Sequence, residues 1–370
     1  MTQQNENFKE FIGKLIGRVS SLENAMIQID RKLADIPNQI EEAVQKRLDE
    51  ITRSNQPAPV ASLPTPQTQP WKCLATLSAH RGGVSSIAIS QNGQFLSSVG
   101  KDNTLKIWDI PTGELTRTIS GASGVASVAI SPDGQTFANS SGSHIKIWDF
   151  RIGELPRSFS MEPGEVYSVA ISLDGRLLVA GNSEGEITIL DLPVGEQLRS
   201  FAWHSENTLD WHAKGSVKVV KISADKTIIA SGGTDNTAKL WNLNTEELIF
   251  TLSGHSGSIN TLAFSPQDNI VVSGSSDKTI KIWDVKTGSL QRTLYGHLEP
   301  VRTVTINPTG QLIASGSDDE TIRIWNVTTG ELLRTLSGHL GGVNSVAFSP
   351  DGKLLISGSQ DMTIKFWSTN

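Results

Sequence analysis

The sequence has one cysteine, Cys73, in 370 residues. That excludes an internal disulfide and any metal site built from thiolates, and it fits a reducing compartment. Positive charge is also scarce: 32 Lys and Arg against 38 Asp and Glu leave a net charge of −6. Polyphosphate binding draws on clustered cations that release counterions, so nucleic acid is not expected as a partner. No apolar run reaches the roughly 18 residues needed to cross a bilayer, and the opening MTQQNENFKE has neither the basic nor the apolar region of a secretion signal. Membrane insertion is therefore not expected, and the chain reads as soluble and cytoplasmic. A nucleophile elbow, a phosphate loop, an HExxH motif and a Cys/His cluster are all missing, so no enzyme signature, cofactor or metal is implied. What remains is an ordinary globular composition, 37% hydrophobic and 19% charged, large enough for more than one domain.

Three territories divide it. Apolar residues at Phe8, Ile12, Leu15, Val19, Leu22, Met26, Ile29, Leu33, Ile36 and Ile40 alternate at spacings of four and three, which lays one apolar seam along a helix and calls for a partner surface. Pro37 ends the first helix near Asp35 or Ile36 and opens a second. Residues 1–53 are therefore expected to be a coiled-coil-like oligomerisation segment, with residues 8–51 forming a homo-oligomer. Docking of two short helices on the same chain is the alternative. Residues 54–70, SNQPAPVASLPTPQTQP, contain five prolines and no charge, and read as an extended spacer reaching roughly 50 Å.

From residue 71 the sequence repeats. GSSDKTIKIWD, GSDDETIRIWN and GSQDMTIKFWS share a pattern, and Trp241, Trp283, Trp325 and Trp367 recur every 42 residues. Earlier copies place Trp108, Trp148 and Leu190 at the same point, so seven copies fill 71–370. Each copy breaks into four short segments rich in Val, Ile, Thr and Leu, bounded by turn chemistry: SPDG at residues 131 and 349, and TG before Glu331. Four strands per copy make one antiparallel sheet, which cannot bury both faces alone. Seven sheets arranged radially can, so the expected fold is an all-β, seven-bladed propeller over 71–370 preceded by the helical segment.

The GH near the start of several copies and the WD at the end of several resemble the WD40 repeat family, over about 300 residues. The resemblance implies a hydrogen-bonded set of His, Ser or Thr, Asp and Trp inside a blade. The matching residues are His80, Ser98, Asp102 and Trp108; His255, Ser273, Asp277 and Trp283; His297, Ser315, Asp319 and Trp325; and His339, Ser357, Asp361 and Trp367. An Asp, a His and a Ser together suggest a catalytic triad, but a fourfold recurrence argues for structure. The copies ending at Trp148 and Leu190 depart, with Gly142 and Glu184 in place of Asp and no opening His. Those blades are either softer or reshaped for a partner.

After Trp367 only STN remains, so the last copy lacks its outer strand, and WKCLATLSAH at 71–80 matches the missing piece. It is expected to complete the last blade and remove an exposed edge. The interval from Leu190 to Trp241 is 51 rather than 42. This places an insertion, with Trp203 and Trp211, in a connection that the resemblance puts on the top face, and either His204 or His212 fits the repeat histidine. The indoles are interface anchors or covers for the third blade. Strand alternation and the family's usual contact positions nominate further partner-binding residues: Ser85, Glu165, Tyr167, Lys218, Asn260, Arg302 and Asn344, with Lys101, Asp318 and Gln360 before the turn aspartates. The expected function is a noncatalytic protein-interaction scaffold, multivalent through its helices. An enzyme with a channel site and an accessory subunit docked through its helices are the alternatives.

Overall fold

The computed structural model describes residues 71–369 except 122, 123, 125, 151–156 and 203–214. The readings for residues 1–70 and for Trp203, His204, Trp211 and His212 lie outside the described residues.

Twenty-eight strands form seven four-stranded antiparallel sheets. Their innermost strands are Val84–Ile89, Val128–Ile130, Val166–Ile171, Val217–Ile222, Ile259–Phe264, Val301–Ile306 and Val343–Phe348. Each of these strands contacts the innermost strand of the next blade, and the seventh contacts the first, which closes the ring. The strand Lys72–Ser78 pairs with Thr363–Ser368 on the outside of the seventh blade, in the register Ser78↔Thr363 and Lys72↔Ser368. The first strand and the last are thus neighbours, as expected from the spare repeat piece. Trp71 meets Phe348 edge-on at 6.2 Å, and Ala79 is fully buried between the first and seventh blades.

Two devices set the blade spacing. A Val or Ile at the start of an innermost strand fits over a glycine in the second strand of the preceding blade. A Cβ on Gly181, Gly232, Gly316 or Gly358 would lie 2.5–2.6 Å from Val217, Ile259, Val343 or Val84. These glycines are needed for space rather than for backbone freedom. Two residues further along, a hydroxyl accepts a hydrogen bond from the next blade's backbone. Ser345 accepts from Ile87 N–H at 3.1 Å, Ser86 from Val128, Ser127 from Val169, Ser168 from Val220, Thr261 from Val304 and Thr303 from Val346. The fourth blade carries Val219 there, so one of the seven steps lacks this bond. Each such bond contributes about 1 kcal/mol, while apolar faces shared between blades supply most of the stabilisation.

Candidate functional site

Among the described residues, the His, Ser, Asp and Trp come together in four blades. In the fifth, Trp283 Nε1–H donates to Ser273 Oγ at 2.8 Å, Ser273 Oγ lies 2.8 Å from His255 Nε2, and His255 Nδ1 lies 2.7 Å from Asp277 Oδ2. The first, sixth and seventh blades repeat this geometry within 0.2 Å. Donor counting fixes the protons: the indole can only donate, so the serine donates to Nε2, and Nδ1–H donates to the carboxylate. Asp277 also accepts from Ser256 N–H and from Thr279 N–H and Oγ–H. Ser98, Ser273, Ser315 and Ser357 have no solvent exposure.

Burial pushes the imidazoles of His80, His255 and His339 below their ordinary value of 6.5, against the opposing pull of the paired carboxylates. Burial also acts to raise the aspartates, but the donors around them prevail. Asp102 and Asp361 are held at about 2, and Asp277 and Asp319 are likewise lowered. In both ranges the unfolded chain binds protons that the folded chain refuses, so stability falls as pH falls. As pH falls, the melting temperature is expected to decline through the histidine range below 6.5 and to drop again below 3.8. A calorimetric series in which it rises from pH 7 to pH 5 contradicts this.

The departing blades differ from each other. In the second, Trp148 Nε1–H donates to Asn139 Oδ1 at 2.6 Å, so an amide takes the place of the serine. In the third, Met161, Ala180 and Leu190 join one buried apolar cluster, so hydrocarbon replaces the polar set.

The innermost strands begin at one end of the ring, the top, where they surround a cavity of about 680 Å³. Eight of the twelve nominated residues line it: Ser85, Lys101, Tyr167, Lys218, Asn260, Arg302, Asn344 and Gln360. Asp318 reaches the same region through Arg302, whose Nε and Nη2 both donate to its Oδ2 at 2.9 and 2.6 Å. Asn260 donates to Val301 O at 2.9 Å, and Asn344 donates to Val84 O at 2.7 Å. These two amides tie adjacent blades as well as facing the cavity. Glu165 is exposed beside Val166 and does not line the cavity. Burial lowers the ammonium pKa of Lys218, and the neighbouring charge of Arg302 lowers it further. No cluster of three or more His, Cys, Asp or Glu able to hold a metal occurs among the described residues, and none of them forms a helix long and apolar enough to cross a membrane.

The family model described as "WD domain, G-beta repeat" matches residues 71–109, 113–149, 203–242, 246–284, 288–326 and 330–368, more than half of the chain. The chain belongs to the WD40 repeat family. The matches start one strand ahead of the blades, which is why the first and last strands share a sheet. They leave a gap over 150–202, the WD40 copy in which Leu190 stands for the tryptophan. Among its relatives, WD repeat-containing protein SL1-17 of Schistosoma mansoni is 31% identical over 182 residues, covering 48% of this chain and 56% of its own. Autophagy-related protein 16 of Arabidopsis thaliana is 24% identical over 222 residues, covering 59% and 41%. The guanine nucleotide-binding protein subunit beta of Oryza sativa is 29% identical over 175 residues, covering 44% and 45%. The matches span about half the length of these curated relatives.

The WD40 propeller also shows features that the repeat pattern did not nominate. Leu340, Tyr295 and Leu298 are 85%, 74% and 70% exposed, the most exposed large apolar side chains among the described residues. Leu298 and Leu340 directly follow His297 and His339, and Tyr295 follows the outer strand Leu290–Leu294, so all three sit at the top. The signal was present in the sequence, because the first and fifth copies carry Arg81 and Ser256 after their histidines. Lys221 was also missed; it enters the channel from the fourth blade.

Proposed function

We propose that the protein is a noncatalytic cytoplasmic scaffold that binds a protein partner at the top face of its propeller. The observation that carries this is the exposure of Leu340, Tyr295 and Leu298 at the same end of the ring as the polar cavity mouth. Apolar anchors beside a desolvatable polar centre suit a protein surface. The Asp, His and Ser sets support a noncatalytic role, because each serine is buried, already accepts from an indole, and donates to the only free imidazole nitrogen. Trp203 and Trp211 extend the same face in this reading. Residues 8–51 oligomerise, and the spacer 54–70 lets several propellers reach a repetitive target, so avidity exceeds single-site affinity about a hundredfold or more.

One binding experiment tests both parts. Partner captured from a lysate is identified, purified, and presented on beads at single-site and at dense loading. A Tyr167→Ala, Leu340→Asp variant is expected to lose roughly 2 kcal/mol or more on both surfaces with unchanged far-ultraviolet dichroism. A Leu15→Asp, Leu22→Asp variant is expected to scatter light as a monomer and to weaken only on the dense beads. Full binding by the first variant defeats the top-face reading, and an intact chain that scatters light as a monomer defeats the multivalent one.

A further inference from the structure

The innermost strands present a ring of small side chains to the channel below the cavity: Ala88, Ala129, Ala170, Ala263, Thr305 and Ala347. The seventh position, in the fourth blade, is Lys221. Six blades therefore keep the bore open, and one projects an ammonium into it. Lys221 lines both the upper cavity and the 460 Å³ cavity beneath. Its side chain is exposed to the solvent of the bore, and the protein surrounding the bore lowers its ammonium pKa by desolvation. It makes no hydrogen bond or ion pair among the described residues.

The charge above it is also unbalanced. Lys101, Lys218 and Arg302 line the upper cavity with Lys221, and no carboxylate does, although the whole chain carries −6. Asp318 engages only Nε and Nη2 of Arg302, which leaves Nη1 unpaired, and neither Lys101 nor Lys218 has a side-chain partner among the described residues. Like charges gathered in one cavity repel at a cost that a counter-charge would remove.

We infer that this mouth receives an acidic side chain of a protein partner, whose carboxylate enters the bore between Lys218, Arg302 and Lys221. The inference rests on the top-face reading and narrows it to a carboxylate-bearing peptide segment. A cavity of about 680 Å³ has room for an acidic side chain. The phenol of Tyr167, which lines the same cavity, can hydrogen-bond a peptide main chain. Desolvation lowers the ammonium pKa of Lys218 and Lys221, and Arg302 lowers that of Lys218 further, so a carboxylate beside them would favour their charged forms.

The test uses the full chain and an array of short synthetic peptides, each made with a central Glu and again with Gln. Inorganic phosphate alone serves as a separate probe. Glu peptides are expected to bind at least about tenfold tighter than their Gln counterparts, as a charge-assisted contact of 1.4 kcal/mol implies. Added salt reduces the difference, and a Lys218→Gln, Lys221→Met variant abolishes it. That variant removes desolvated charge, so an unchanged or higher melting temperature certifies its fold. Equal binding of Glu and Gln peptides, both weakened by Leu340→Asp, overturns the inference and leaves the top-face reading standing. A Glu preference that survives in the lysine variant overturns it too, because the anion site then lies elsewhere. The same holds if no peptide binds, or if phosphate alone binds more tightly than every Glu peptide. Leu340→Asp without effect on binding to either peptide series defeats the top-face reading itself.

Discussion

A chain beginning at Gly82 is expected to aggregate, or to melt far below one beginning at Gln69. The lost segment belongs to two blades at once. Lys72–Ser78 supplies the outer strand of the seventh blade, and without it Thr363–Ser368 becomes an unpaired edge. His80, at the end of the same segment, holds Asp102 at 2.9 Å and Ser98 at 2.8 Å in the first blade. Ala79 accepts from Lys106 Nζ and packs in the cluster shared by the first and seventh blades. Together these losses amount to something on the order of 5 kcal/mol, a large share of the 5–15 kcal/mol by which a folded chain is stable. His80→Ala in the full chain separates the contributions, since it removes the imidazole and keeps the strand. Equal melting temperatures for the chains starting at Gln69 and Gly82 would sink this account of closure.

The seam on the other side of that joint makes the second large effect. A Cβ on Gly358 would lie 2.6 Å from Val84 Cγ1, with Ile87 Cγ2 at 3.1 Å and Val84 Cβ at 3.2 Å. Gly358→Ala therefore forces the seventh and first blades apart, and is expected to cost about 2–3 kcal/mol, as overpacking does. Val84→Ala alone opens a cavity in a fully buried site and costs roughly 2 kcal/mol. In the double variant the new methyl occupies the space that Val84 leaves. The two costs are then expected to fall short of their sum by about 1 kcal/mol or more. Urea unfolding of all four chains measures this, and strict additivity would show that the glycine does not set the spacing.

Most of the architecture was legible because a repeated sequence repeats its physics. The 42-residue interval between tryptophans, the SPDG turns and the spare WKCLATLSAH segment each had one structural meaning. The hydrogen bonds at His80, His255, His297 and His339 have the partners that the family resemblance implied. Reading was weakest where a copy solved the same problem with different chemistry. Asn139 could not be recognised as an acceptor for Trp148, because an amide in place of a serine looks like a loss. Leu190 likewise read as a departure, whereas in space it joins Met161 and Ala180 in one apolar cluster. The cavity residues followed from strand alternation at the channel mouth. Lys221 lies deeper on the same strand and becomes conspicuous only when all seven positions are compared. Leu298 and Leu340 were hidden by their neighbours, since the histidines before them dominate the pattern.

The central claim is that partners dock on the top face, and site-specific photocrosslinking tests it most directly. A benzophenone side chain replaces Tyr167 at the cavity mouth in one chain, and Leu173 in another. Leu173 is 54% exposed at the opposite end of the same innermost strand. Both chains carry the probe on one blade, at its two ends, and both are irradiated with the purified partner. Adducts from position 167 and none from position 173 are the expected result. Adducts from position 173, with none from position 167, would contradict the account.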